Sequence, residues 1–205
     1  MASNVLDLKL RRLDIAESQI LGEICLQVGT TETVALVGPS GVGKTSLLRI
    51  IAGLEHGYCG DCSITGRVAV VFQEPTLLPW RTVSENLTIP TGISYAQALE
   101  ALSDIGLAGR DSGFPAQLSL GQQRRLALVR AFAVKPDLLL MDEPFVSLDP
   151  ALVDEMMALF NKLRAGQDIA TILVTHVEEE AARLADRIVR LGGSPAQIIS
   201  DTNSH

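Results

Sequence analysis

The sequence predicts an α/β fold with a mainly parallel sheet, an N-terminal antiparallel β subdomain and a helical subdomain inserted in the middle. Three observations carry this. Strand-length apolar runs alternate with helical patterns, the mark of parallel strands covered on both faces. The first stretch instead alternates apolar and polar residues, as a half-buried antiparallel strand does. Between about Phe72 and Leu138 the strand signals give way to helix-capping patterns. With 47% hydrophobic and 20% charged residues among 205, the chain has enough apolar surface to build a core, which excludes a disordered polypeptide. A single domain over 1–205 is expected, its core with the antiparallel lobe formed by 1–72 and 138–205 and its helical subdomain by 73–137.

In chain order, Val5, Leu6, Leu8, Leu10 and Leu13 interleave with Asp7, Lys9 and Arg11, and a second apolar segment runs from Ile20 to Val28. Both read as antiparallel strands. Thr33 to Val37 is a strand that ends in a Gly-rich turn, followed by a helix from Thr45 to Ala52. Gly57 and Gly60 mark a turn, and Val68 to Phe72 a β-branched strand. Thr82 with Glu85, and Ser94 with Gln97, have capping-box spacing at helix starts. After Ser119 the pattern is helical to Ala133. Leu138 to Met141 is a strand, Pro150 to Ala165 a helix, Ala170 to Val174 a strand and Val177 to Leu184 a helix. Ile188 to Leu191 adds a last strand before a polar tail, Ser200 to His205, that frays.

Composition narrows the function. The longest apolar clusters fall far short of the roughly 20 residues that span a bilayer, and Met1 to Asn4 leads into no signal-type apolar core, so a cytosolic chain is expected. A net charge of −7 repels nucleic acid and anionic lipid, and no nucleic-acid partner is expected. His56, Cys59 and Cys62 form H-x-x-C-x-x-C, but a closed zinc site needs a fourth ligand and Cys25 would have to be recruited. A Gly-rich turn that carries two thiols is the expected reading.

Gly38-Pro39-Ser40-Gly41-Val42-Gly43-Lys44-Thr45 fits the phosphate-binding loop G-x-x-x-x-G-K-[ST], between a strand and a helix. Its glycines let backbone N–H groups turn toward phosphate oxygens, Lys44 reaches the terminal phosphates, and the Thr45 hydroxyl can ligate magnesium. The strand Leu138 to Met141 delivers Asp142 and Glu143 at its C-terminal end, where ligands bind in open parallel sheets. Asp142 suits a metal, and Glu143 a general base for the attacking water. His176 follows the strand 170–174 and emerges at the same sheet edge, where a neutral imidazole can stabilise charge at a γ-phosphate. Leu118-Ser119-Leu120-Gly121-Gln122 opens a helix. Spacing leaves two readings even: an ordinary capping box from Ser119 to Gln122, or a second phosphate-binding surface.

The order Gly38 to Thr45, Gln73, Leu118 to Gln122, Leu138 to Glu143, Ser147-Leu148-Asp149 and His176 resembles the ATP-binding subunit of an ABC transporter, over nearly the whole chain. The resemblance implies a P-loop NTPase core that binds ATP and Mg2+. It also implies a head-to-tail dimer with a second copy, each ATP lying between the phosphate loop of one and Ser119, Leu120, Gly121 and Gln122 of the other. On matching positions, Gln73 senses the metal and the lytic water and couples to the permease, the loop 147–149 crosses the dimer interface, and His176 is the switch histidine. Lacking membrane helices, coiled-coil insertions or a tandem ATPase domain, the chain resembles importer motors. These work at the cytoplasmic face of the membrane with separate permease subunits and an extracytoplasmic substrate-binding protein. Phe72 to Pro75, Leu77 to Val83 and Glu85-Asn86 are similar to the subgroup that imports nitrate, sulfonates or thiamine-related compounds. The alternative is a soluble non-transport ATPase or regulatory switch. Trp80, Leu77 and Leu78 suit either a helix-docking groove or a local core.

Two departures stand out. Leu120 replaces the second Gly of the family's signature, where a turn with positive φ would disfavour a branched side chain. No aromatic precedes Gly38, where the family stacks one on adenine; Ile15 sits near that place and offers apolar contact only. Hydrolysis rates for ATP and GTP are therefore expected to agree within about a hundredfold, and a larger preference measured side by side would refute the assignment.

Overall fold

The computed structural model describes residues 4–204. Contacts within the chain divide it into two compact units, one formed by residues up to Val70, Pro136–Glu143 and the chain from Asp168, the other by Val71–Lys135 and Pro144–Gln167.

The first unit is built on a ten-stranded sheet. Its strands are β1 (Asn4–Ile15), β2 (Ser18–Leu21), β3 (Ile24–Gly29), β4 (Thr33–Val37), β5 (Tyr58–Ile64), β6 (Val68–Val71), β7 (Leu138–Asp142), β8 (Ala170–Val174), β9 (Arg187–Gly193) and β10 (Ala196–Asn203). They run in the order β3-β1-β2-β10-β9-β4-β8-β7-β6, with β5 paired to β1. β4, β7 and β8 are buried at every residue. β8 lies parallel to both of its neighbours, and β4 also pairs parallel to β9. Leu36 and Leu140 on these strands share one apolar core with Leu47 and Leu48 of α1 (Lys44–Ile51).

β1 shows why the antiparallel lobe needs one irregular step. Leu6, Leu8 and Leu10 share a buried face, yet Leu13, at odd spacing, is buried too. The pairing with β5 slips between Leu10 and Arg12, a bulge that restores Leu13 to the core face. Gly60 faces this slip. A Cβ there would lie 2.3 Å from the Lys9 carbonyl oxygen, and its φ of +146° suits glycine alone.

The second unit is helical: α2 (Glu85–Thr91), α3 (Tyr95–Asp104), α4 (Leu120–Ala133) and α5 (Pro150–Arg164), with a 3-10 turn at Pro115–Gln117. Ser94 and Gln97 form the expected capping box on α3. Thr82 and Glu85 also bond reciprocally, Thr82 N to Glu85 Oε2 at 2.8 Å and Glu85 N to Thr82 Oγ1 at 3.2 Å. Phe132 of α4 and Phe160 of α5 meet edge to face, centroids 6.0 Å apart. That packing belongs to α5, a segment the sequence reading assigned to the core. The fully buried Asn86 accepts from Leu78 N and donates to the carbonyls of Leu78, Arg81 and Thr82. It pins the loop on which Trp80 stands 70% exposed, so Trp80 belongs to no local core.

Three sequence expectations are corrected. The segment Ile20 to Val28 is two strands, broken at Gly22 and Glu23. The Gly-rich turn carrying Cys59 and Cys62 is strand β5; residues three apart on a strand point to opposite faces, Cys59 being exposed and Cys62 half-buried. No group of three metal-ligating side chains occurs among the described residues. Ser200 to Asn203 of the polar tail belong to β10, an antiparallel partner of β9 that buries Ala196 and half-buries Ile198. His205 and Met1 to Ser3 lie outside the described residues. Among the described residues no helix is long and apolar enough to cross a membrane.

Candidate nucleotide site

β4 ends at Val37, and the chain turns out of the sheet beside β9. A Cβ on Gly38 would stand 2.5 Å from the Leu191 carbonyl oxygen, so only glycine passes here. The loop through Gly43 then enters α1, whose N-cap, Gly43, offers no side-chain cap. The first N–H groups of α1 thus need another acceptor, which an anion supplies. Lys44 is 4% exposed, and its ammonium donates to the carbonyls of Gly38 at 2.8 Å and Pro39 at 3.0 Å. The loop is closed over its own lysine. Burial holds the Lys44 pKa below its usual value, against the opposing pull of Glu143 and Asp142.

Asp142 closes β7 and is 7% exposed; its Oδ1 accepts from the Thr45 hydroxyl at 3.1 Å. Burial raises the Asp142 pKa, Thr45 and Lys44 lower it, and Glu143 raises it further. Glu143 continues the ladder by donating its N–H to the Val174 carbonyl at 2.9 Å, but its φ is +45°, a conformation costly for a non-glycine residue and held only where neighbours enforce it. That turn aims the carboxylate between Lys44 and His176. Oε1 lies 4.0 Å from Lys44 Nζ and Oε2 lies 3.1 Å from His176 Nδ1.

His176 is held on both sides by a residue that the sequence reading missed. Thr175 bonds its N–H to the Leu36 carbonyl, and its hydroxyl donates to Glu180 in a short hydrogen bond and accepts from Val177 N–H at 3.0 Å. Glu180, in α6 (Glu178–Leu184), is 8% exposed, and burial leads the effects that raise its pKa. In the run Glu178-Glu179-Glu180 it reads as one more solvated acid; only its place one residue before buried Ala181 distinguishes it. His176, Glu178, Arg190, Leu191 and Ile199 line, with Gly38 to Ser40, an open cavity of about 450 Å³. Ile15 is 45% exposed at the end of β1, paired with Ser18; further along β2, Leu21 packs 2.6 Å from where a Cβ on Gly43 would stand.

In the helical unit Gln73 and Ser119 are exposed. Ser119 caps α4, its hydroxyl accepting from Gln122 N and its N–H donating to Gln122 Oε1 at 2.9 Å, so the capping box is formed. Leu120 is the first residue of α4, 46% exposed, and is not among the residues with positive φ. The expected strain at Leu120 is absent because a helix start has negative φ, which any residue accepts. Gly121 is the constrained position: a Cβ would meet Leu152 Cδ2 at 2.7 Å. Its role is close packing of α4 on α5 rather than flexibility. Ser147 has φ +60°, Leu148 is half-buried, and the Asp149 carboxylate caps α5 by accepting from Leu152 N.

Comparison with known proteins agrees with this geometry. The ABC transporter family model matches residues 21–146. The chain is 45% identical over 181 residues to the aliphatic sulfonates import ATP-binding protein SsuB 1 of Rhodococcus jostii, covering 85% of this chain and 74% of that protein. It is 38% identical over 209 residues to SsuB 2 of Burkholderia cenocepacia, covering 97% and 77%. A dimeric ATP-binding cassette solved in a post-hydrolysis state with ADP and Pi superimposes with a TM-score of 0.84 at 28% identity, over 98% of this chain and 99% of that one. The chain belongs to the ABC transporter ATP-binding family.

Glu180 generates a pH prediction. Its pKa is raised in the fold, so the stability it contributes is complete below the ordinary carboxylate value and is lost as pH rises through the folded value. Urea unfolding of wild type and Glu180→Gln at about pH 4 and about pH 7 should show wild type losing ground to the variant at the higher pH. A difference independent of pH would refute a raised pKa.

Proposed function

We propose that this member of the ABC transporter family is the ATP-hydrolysing motor subunit of an importer, binding ATP with Mg2+ and closing on a second copy of itself. The observation that carries this reading is the convergence of Lys44, Thr45, Asp142, Glu143 and His176 at the C-terminal edge of β4, β7 and β8.

The chemistry follows from the contacts. Lys44 exchanges its two carbonyl partners for the oxygens of the terminal phosphates and keeps the charge already desolvated for them. The Thr45 hydroxyl and the Asp142 carboxylate are an oxygen-only pair 3.1 Å apart, the donor type that Mg2+ takes, and they would hold it. When bound, the metal neutralises charge on the phosphates. Glu143 orients and deprotonates the attacking water, and His176, 3.1 Å from it, holds the carboxylate and presents its other ring nitrogen toward the γ-phosphate. Gln73 reports on the metal and the lytic water, Ile15 gives apolar contact to the base, and Ser119, Gly121 and Gln122 close on the nucleotide of the second copy.

The relatives are named as aliphatic sulfonate import proteins, which makes a sulfonate the first cargo to assay, delivered by an extracytoplasmic binding protein to a separate permease. The subunit works on the cytoplasmic side, held to the membrane through that permease.

Glu143→Gln should cut phosphate release by about a hundredfold or more and accumulate an ATP-bound dimer in size-exclusion light scattering; wild-type turnover would remove Glu143 as the base. Tagged protein captured from gently solubilised native membranes should retain a multi-span permease through an ATP wash. Recovery of soluble partners only, with the protein absent from membranes, would assign it instead to the non-transport ATPases.

A further inference from the structure

Two charged side chains in the helical unit take no part in the mechanism above, and both belong to α4. Arg124 is 7% exposed and donates through Nη1 to the carbonyls of Pro144, at 3.3 Å, and Val146. Arg130 donates to the Pro75 carbonyl, the Thr76 carbonyl and the Thr76 hydroxyl, each at 3.1 Å. Burial lowers the pKa of both, and no carboxylate pairs with either among the described residues. A guanidinium taken out of water with only carbonyl and hydroxyl dipoles to hold it is costly. Arg130 spreads its contacts over both Nη atoms as a planar fork, whereas Arg124 serves both carbonyls through Nη1 alone and leaves its buried Nε without a partner.

The carbonyls in question are particular. Pro144 directly follows Glu143 and Val146 lies three residues beyond it, and Pro75 and Thr76 directly follow Gln73 and Glu74. Each loop also contains left-handed non-glycine backbone: Thr76 at φ +45°, Glu143 at +45° and Ser147 at +60°. Such residues persist where outside contacts over-determine them. Six positions along a helix correspond to about 9 Å of rise and about 240° of rotation, so the two arginines leave α4 on different sides and reach different loops. The same helix begins at Ser119 to Gln122.

We propose that Arg124 and Arg130 are positioning residues for hydrolysis, tying the loop after Glu143 and the loop after Gln73 to α4, so that both loops and the Ser119–Gln122 end adopt one arrangement together. This rests on the ATPase reading above. α4 then acts as a rod: a displacement at the Gln73 loop is delivered to the opposite end of the helix and to the Glu143 loop without passing through the phosphate loop.

The test is steady-state hydrolysis by Arg124→Lys and Arg130→Lys, which keep the charge; at 124 the shorter stem withdraws the one donor nitrogen from both carbonyls, and at 130 the fork is lost. For each, kcat should fall by about 10- to 100-fold while KM for ATP stays within about twofold, with the melting temperature near wild type. In a Gln73→Ala background, Arg130→Lys should cause little further loss, since it acts through Gln73. Unchanged kcat, full multiplicative loss in the Gln73→Ala background, or a fall in kcat matched by loss of ATP affinity and melting temperature would each overturn the proposal. Should a lysine variant not fold, the glutamine variant at the same position is judged by the same criteria. Lys44→Ala separates the two readings. If wild type shows no hydrolysis, or none beyond that of Lys44→Ala, the reading of this site as an ATPase fails; if Lys44→Ala is inactive and the arginine variants match wild type, only the role of α4 fails.

Discussion

A buried ammonium with two carbonyl oxygens for company is the interaction on which the rest of this structure depends. Lys44 is held by Gly38 and Pro39 in a place where its charge is desolvated and its nearest carboxylate, Glu143, stands 4.0 Å away. That arrangement requires the loop to curl tightly enough for its own backbone to reach the lysine. The curl in turn requires Gly38, since the chain passes the Leu191 carbonyl too closely for any side chain. It also requires β4, β8 and β7 to lie side by side, buried throughout, so that Lys44, His176 and Glu143 emerge at one edge. A site of this kind holds its charge desolvated before the ligand arrives, and binding exchanges the two carbonyl partners of Lys44 for phosphate oxygens.

The local strain falls where that preorganisation needs it. Glu143 sits in left-handed backbone immediately after a regular strand, its N–H still bonded to Val174 while its carboxylate turns out toward His176. His176 is itself fixed by neighbours, Thr175 and Val177 being joined through one hydroxyl that Glu180 accepts from beneath. The edge that carries Glu143 and His176 is therefore supported by buried polar groups behind it.

How much of this could be read from the sequence depended on whether burial was complete. The strands 33–37, 138–142 and 170–174 are apolar on both faces, and they appear at the expected places, as does the phosphate loop. β5 and β10 escaped because each is only half covered: Tyr58, Cys62 and Ile64 are partly buried with glycine and polar residues between them that look like a turn, and β10, though it lies between β2 and β9, buries only Ala196. Leu120 shows a different limit. A motif read as letters treats positions 120 and 121 alike, whereas the helix start accepts any residue at 120 and a side chain at 121 would have to displace Leu152. Arg124, Arg130 and Glu180 were not legible because charged residues on a helix are ordinarily solvated, and only tertiary contacts to backbone carbonyls or to Thr175 reveal otherwise.

The loop that carries Trp80 has a thermodynamic consequence. An exposed loop usually surrenders conformational freedom when something binds it, at about 1–2 kcal/mol for each residue fixed. Here Asn86 has already fixed the backbone from Leu78 to Thr82 through four hydrogen bonds. A partner that covers the indole immobilises one ring and almost no chain, so this loop's own share of the ordering cost of binding is small.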